Sequence, residues 1–99
     1  MASEPFVKRL FVVDGHEVEC RFAQPEMDGA DSVCRFEIDW PEGPKSVVIY
    51  GVDGVQALSL AMQTAHVYLL AARDRHGRVV TWLDGADLGL PVPPPHPDT

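Results

Sequence analysis

Asp53-Gly54-Val55-Gln56-Ala57-Leu58-Ser59-Leu60-Ala61-Met62-Gln63-Thr64-Ala65-His66-Val67-Tyr68-Leu69-Leu70-Ala71-Ala72 is the one long stretch whose apolar residues recur at helical spacing. Asp53 is a good N-cap, because its carboxylate can accept an orphan N–H of the first turn. Gln56 follows three residues later, at the reciprocal position of a capping box. Ala, Leu, Met and Gln, all strong helix formers, fill the rest. Val55, Leu58, Met62, Ala65, Leu69 and Ala72 define the expected inward stripe, with Ala57, Ala61 and Tyr68 widening it. Gln56, Ser59, Gln63 and His66 form a narrow polar stripe, and Leu60 and Val67 lie beside it on the expected outer side.

No Asp, Glu, Lys or Arg occurs between Gly54 and Ala72. A helix with an outer face in water normally carries charge there. A membrane span is a poor reading, because two Gln, a Ser, a Thr and a His interrupt it. A bare helix with Leu60 and Val67 in water is a tolerable one, since scattered exposed apolar residues are common. A helix whose second face meets another subunit accounts best for the missing charge. Gln56, Leu60, Gln63 and Val67 are the candidate interface.

The flanks set the fold class. Phe6–Val13 reads as a strand with apolar residues on both faces, which places it inside a sheet. Asp14-Gly15 is a hairpin turn signal. Glu17–Phe22 alternates, with Val18, Cys20 and Phe22 inward. Gln24-Pro25 stops that strand and Met27–Asp31 reads as a turn. Ser32–Trp40 alternates again, with Cys34, Phe36, Ile38 and Trp40 inward. Pro41-Glu42-Gly43-Pro44 is a third turn and Ser46–Tyr50 a short β-branched strand. After the helix, Arg73 and Arg75 suit the negative end of its dipole, and His76-Gly77 makes the turn. Arg78–Leu83 reads as a fifth strand.

Strands first and a helix afterwards predict an α+β domain over residues 1–91. It is an antiparallel meander of four to five strands with one long helix packed across one face, in the order β-β-β-β-α-β. The fifth strand is expected beside the first. Residues 92–99 are proline-rich and read as an extended tail.

Lys plus Arg number 8 and Asp plus Glu 15, for a net charge of −7. Residues 1–50 hold ten acids and five bases, residues 51–99 five and three, so the first half carries most of the acidity. An acidic chain repels phosphate backbones, so no nucleic-acid binding is expected. Met1–Pro5 lacks the features of a signal peptide, and two cysteines without one point to reduced thiols in a cytoplasm.

Catalytic patterns are scarce. No nucleophile elbow occurs. Gly51-Val52-Asp53-Gly54 lacks the further glycine or lysine of a phosphate-cradling loop and is better read as a sharp strand-to-helix turn. Asp14, Asp28 and Asp84 precede glycine, as turn residues do. Cys20 and Cys34 face inward on neighbouring strands, as small core residues or, less simply, a disulfide or metal pair. His16, His66, His76 and His96 have no second ligand at metal spacing, so neither cofactor nor metal is expected. His66, Tyr68 and Trp82 are the candidate pocket for a small ligand. Pro91-Val92-Pro93-Pro94 has PxxP spacing but reads more simply as solvated tail.

Gly51-Val52-Asp53-Gly54-Val55-Gln56-Ala57-Leu58, followed by Leu60-Ala61-Met62, resembles the helix entry of a family of small bacterial proteins of unknown function. Trp82-Leu83-Asp84 and Asp87-Leu88-Gly89-Leu90-Pro91 resemble that family's C-terminal signature, and Cys34 stands where such proteins carry a strand cysteine. The resemblance spans Phe6 to Pro91. It implies a bacterial cytosolic protein and no catalytic residue.

Three functions are then in play. The first is a non-enzymatic interaction module, a homodimer through the uncharged helix face. The second is an acidic inhibitor or immunity-type protein that masks a basic partner with Glu17, Glu19, Glu37 and Asp39. The third is a small-ligand binder or minor enzyme with its pocket near His66.

Overall fold

A computed structural model describes residues 5–92 of the chain. The proline-rich stretch Pro93–Pro97, with His96 and the second half of the PxxP spacing, lies outside the described residues. The elements run β1 (Pro5–Val13), β2 (His16–Ala23), β3 (Glu26–Asp28), β4 (Asp31–Trp40), β5 (Gly43–Gly51), α1 (Gly54–His76) and β6 (Val80–Thr81). The architecture is the expected α+β arrangement, an open antiparallel sheet with one long helix.

Asp14 and Gly15 both take positive φ, 51° and 83°, and Val13 pairs with His16. This is a two-residue hairpin loop whose twist matches its strands. β2 and β4 pair through Phe22 and Phe36, and β4 and β5 pair from Trp40–Gly43 to Ser32–Gly51. β6 joins β1 through Val12 and Val13, so the order β6-β1-β2-β4-β5 puts the last strand beside the first.

Four details depart from the sequence reading. β3 replaces part of the predicted Met27–Asp31 turn. It continues the β2 edge after a step at Gln24-Pro25, and pairs Glu26 with Val33. Three exposed residues, two of them acidic, give no alternation to read. β5 extends beyond Ser46–Tyr50 and carries Pro44, which an edge strand tolerates. β6 is two residues rather than six. Asp14 takes both the N–H and the C=O of Val79, while Leu83 and Asp84 turn at φ 52° and 62°. Among the described residues β1 is flanked on its outer side only at Val12 and Val13, so most of that edge has no ladder partner there. Its two-sided apolar character leaves Leu10 and Val12 on the open face of the sheet, 50% and 39% exposed.

The Asp53 cap forms as expected, but Gln56 takes the N–H of the residue before the cap rather than that of Asp53. Asp53 Oδ1 accepts the Gln56 N–H at 2.8 Å, and Gln56 Oε1 accepts the Val52 N–H at 2.8 Å. Gly77, at φ 65°, ends the helix, and its N–H bonds to the Ala72 carbonyl. The buried line is Ala57, Ala61, Ala65, Leu69 and Ala72: Ala65, Leu69 and Ala72 of the expected stripe hold, while Ala57 and Ala61 take the place of Val55, Leu58 and Met62. Val55 is 80% exposed. A residue advances about 100° around a helix, so favouring Ala57 and Ala61 over Val55 and Leu58 turns the face by about half of that step. Alanines let the helix axis sit close to the sheet, and the partly buried Leu58, Met62 and Tyr68 fill the flanks.

The helix packs chiefly across β4 and β5. The β1 side of the core is closed by the C-terminal segment, with Leu88 1% and Leu90 9% exposed. Charged groups hold this segment down. Arg9 Nη1 donates to the carbonyls of Leu88 and Gly89 at 3.1 and 2.9 Å, and its guanidinium stacks on Trp82 at 3.8 Å. Arg73 Nη2 donates to the carbonyls of Val80 and Ala86 at 2.7 and 2.8 Å. The Asp87-Leu88-Gly89-Leu90-Pro91 signature is therefore a core plug.

Candidate functional site

The outward side of α1 is the first candidate. Gln56 and Val67 are exposed, Val67 at 48%, whereas Leu60 and Gln63 are half-buried. Gln63 Nε2 donates to Ser59 Oγ at 3.1 Å. The polar groups of this stripe thus satisfy one another in part, and the accessible surface remains uncharged from Gly54 to Ala72.

His66, predicted on the polar stripe, is instead buried at 7%. Its Nδ1 lies 3.1 Å from the Pro91 carbonyl oxygen, so the ring donates there as the Nδ1–H form. Two residues on, about 200° around the helix, Tyr68 points the other way, packing on Phe36 at 6.2 Å between ring centroids. Trp82 lies under Arg9 and against Gly89, beside the C-terminal plug. His66 and Trp82 thus both adjoin the C-terminal plug, while Tyr68 lies on the opposite flank of the helix. A rotated helix does not account for the burial of His66, which lies about 20° around the helix from the exposed Val55. It is buried because the Pro91 end of the C-terminal segment covers it.

A cleft of about 510 Å³ does open at the C-terminal end of α1. Tyr68, Ala71, Ala72 and His76 come from the helix, Asp14 from the β1–β2 turn, Trp40 from the end of β4, Glu42 from the β4–β5 turn, and Arg78 from the helix exit. Arg78 Nε donates to Asp14 Oδ2 at 3.1 Å and its Nη1 to Glu42 Oε2 at 3.0 Å. Its guanidinium also lies 5.5 Å from the Trp40 ring centroid. Asp14 is held below the usual carboxylate range first by the Val79 N–H and then by Arg78. Glu42 is held low by Arg78. Of this cleft the sequence reading contained only Tyr68. Arg78, Asp14 and Glu42 are separated by 64 and 36 residues, and no local period links them.

The lowered carboxylates have a consequence for stability. A carboxyl whose pKa falls on folding contributes stability above its unfolded value, and the contribution is lost as pH falls. Stability should therefore be flat near neutrality and decline below about 4.5, the ordinary glutamate value, through the ordinary aspartate value of 3.8 and beyond. Arg78→Gln should flatten the acid limb. Urea midpoints for both chains from pH 7 to pH 3 check this; an unchanged acid limb in the variant would count against the pairing.

On the open sheet face, Arg21 bonds Glu19 at 2.8 Å and also Glu37, and Lys8 reaches Glu19 at 3.3 Å. Of the four carboxylates of the expected acidic surface, Glu19 and Glu37 are thus paired, Asp39 lies 3.9 Å from Arg21, and Glu17 has no cation partner among the described residues. The two cysteines are free and buried. Burial pushes the Cys20 thiol up to about 12, far from the thiolate that reacts. Cys20 pairs with Ile38, four positions from Cys34 along β4. At the rise of a strand that is about 13 Å, too far to bridge.

An open antiparallel sheet closed on one face by a helix uncharged from Gly54 to Ala72 and by a C-terminal plug defines a small α+β module. The chain belongs to the family DUF6968, a domain of unknown function, whose profile matches residues 7–92. No curated protein and no solved structure matches it. No helix among the described residues is long and apolar enough to cross a membrane.

Proposed function

We propose that this chain is a non-enzymatic interaction module that forms a homodimer through the outward face of α1, around Gln56, Leu60, Gln63 and Val67. The observation that carries this reading is the accessible stripe without a single charge over five turns of a surface helix. A monomer that displayed such a stripe would gain solubility from charge there, as the rest of this acidic surface does. Two free, inward thiols fit a reducing, cytoplasmic setting.

The dimer should appear at the mass of two chains in light scattering or sedimentation. Leu60→Glu with Val67→Glu should leave a folded monomer, because each copy would bring unpaired carboxylates into a dry contact. The change should weaken dimerisation at least about a hundredfold. A wild-type monomer at high protein concentration would end the proposal.

The cleft favours a second reading, a small-ligand binder. Its volume lies in the range of small-molecule sites, and it joins two aromatic rings to fixed polar groups. This site is centred on Tyr68, Trp40 and Arg78 rather than on His66 and Trp82. A ligand that raises the melting temperature of the wild type but not of Arg78→Gln would support it.

A further inference from the structure

The surface around the first turn of α1 carries a different mixture. Phe6, Gln24, Pro25, Asp53, Gly54, Val55 and Leu58 line an open groove of about 430 Å³. Within it Val55 is 80% and Phe6 51% exposed. Val52, at 73%, and Met27, at 71%, flank it in the chain, next to Asp53 and just beyond Pro25 of its lining, apolar exposure that water does not favour. Pro25 forms the floor; it lies under Gly54, where an added Cβ would sit 3.5 Å away. The β3–β4 hairpin follows directly, with Glu26, Asp28 and Asp31 exposed and paired to no cation among the described residues. Asp28 lies about 10 Å along the strand from Pro25, near one Debye length at physiological salt.

We infer that this groove docks a segment of a basic protein: an apolar anchor, Phe or Leu, flanked by lysine or arginine. The charges decide the occupant. The α1 N-terminus contributes only about half a positive charge, against the carboxylates of Asp53, Glu26, Asp28 and Asp31. A second copy seated here would bring those acids against their own kind, which costs binding rather than adding to it. A cationic partner matches the rim, and its anchor fills the groove. The surface differs from the dimer face proposed above, so either can fail without the other. It also differs from the open sheet face, where Lys8 and Arg21 already answer the acids.

The probe is a synthetic octapeptide with Phe-Leu at its centre and three lysines on each side, titrated into the full chain and followed by amide NMR. Shifts should concentrate at Met27, Val52, Val55 and Leu58. Replacing Phe-Leu by Ser-Ser should weaken binding about tenfold, as should Val55→Ser. Asp28→Asn with Asp31→Asn should weaken it several-fold and reduce its salt dependence. Val55 is exposed, so its loss should leave the fold intact, and the amide spectrum reports that directly. Equal binding of the Ser-Ser peptide would show charge attraction without a groove and overturn the inference. Shifts spread over other acidic surfaces, no binding, or a Val55→Ser chain that loses its own dimer would overturn it too.

Discussion

Gly51→Ala should be the most damaging small substitution in this chain, costing about 3 kcal/mol or more and leaving little folded protein. A methyl built on Gly51 would lie 2.5 Å from the Ala57 nitrogen and 2.9 Å from its Cα. Both are backbone atoms, so no side chain can turn away. The helix would have to lift from the end of β5, and the alanine line from Ala57 to Ala72 would lose contact with the sheet. Gly54→Ala is the control. There the new methyl meets only Pro25, its Cβ at 3.5 Å and its Cγ at 3.9 Å, both ordinary contacts. Alanine also suits a helix better than glycine, so this variant should match or exceed the wild type by up to about 1 kcal/mol. Urea denaturation separates the two. A Gly51→Ala chain with a wild-type midpoint would show that the helix does not approach the sheet this closely.

Phe36→Ala should cost about 3 to 5 kcal/mol. Phe36 points inward from the middle of β4 and is 2% exposed. Its ring lies 5.8 Å from Phe22 on the neighbouring strand and 6.2 Å from Tyr68 on the helix, so it joins both layers. Truncation leaves a cavity that a sheet on one side and a helix on the other cannot close. A domain of this size has only about 5 to 15 kcal/mol in total, so the variant should sit near its unfolding threshold. Phe6→Ala provides the comparison, because Phe6 is 51% exposed and loses little burial. A thermal melt of the pair should separate them by well over about 10 °C. Equal melting temperatures would remove Phe36 from the centre of the core.

Much of this was legible from residue spacing. The Asp14-Gly15 turn needs positive φ at two successive positions, and few other dipeptides supply it at so little cost. Val18, Cys20 and Phe22 face inward because a strand has a period of two, and one buried face enforces it. Asp53 and Gln56 cap the helix through local hydrogen bonds that the sequence places within reach. The helix was harder to orient than to find. Hydrophobicity ranks Val55 above Ala57, whereas close packing against a sheet ranks them the other way, and packing decided. The C-terminal segment, not that rotation, buried His66, and Tyr68 packs on the opposite flank of the helix against Phe36.

The chain's own local chemistry thus determined its elements: where each strand turns, where the helix starts, and that strands precede the helix. These depend on backbone dihedrals and hydrogen bonds between near neighbours, which residue types control directly. Tertiary structure alone decided the contacts between distant segments. It seated Leu88 and Leu90 as a plug over β1, brought Arg78 to Asp14 and Glu42, and neutralised Glu19 and Glu37 with Arg21. It also left Val55 and Met27 bare beside an acidic hairpin. Such contacts depend on how whole layers pack and which flank of a helix faces down, and no periodicity in a single sequence records that.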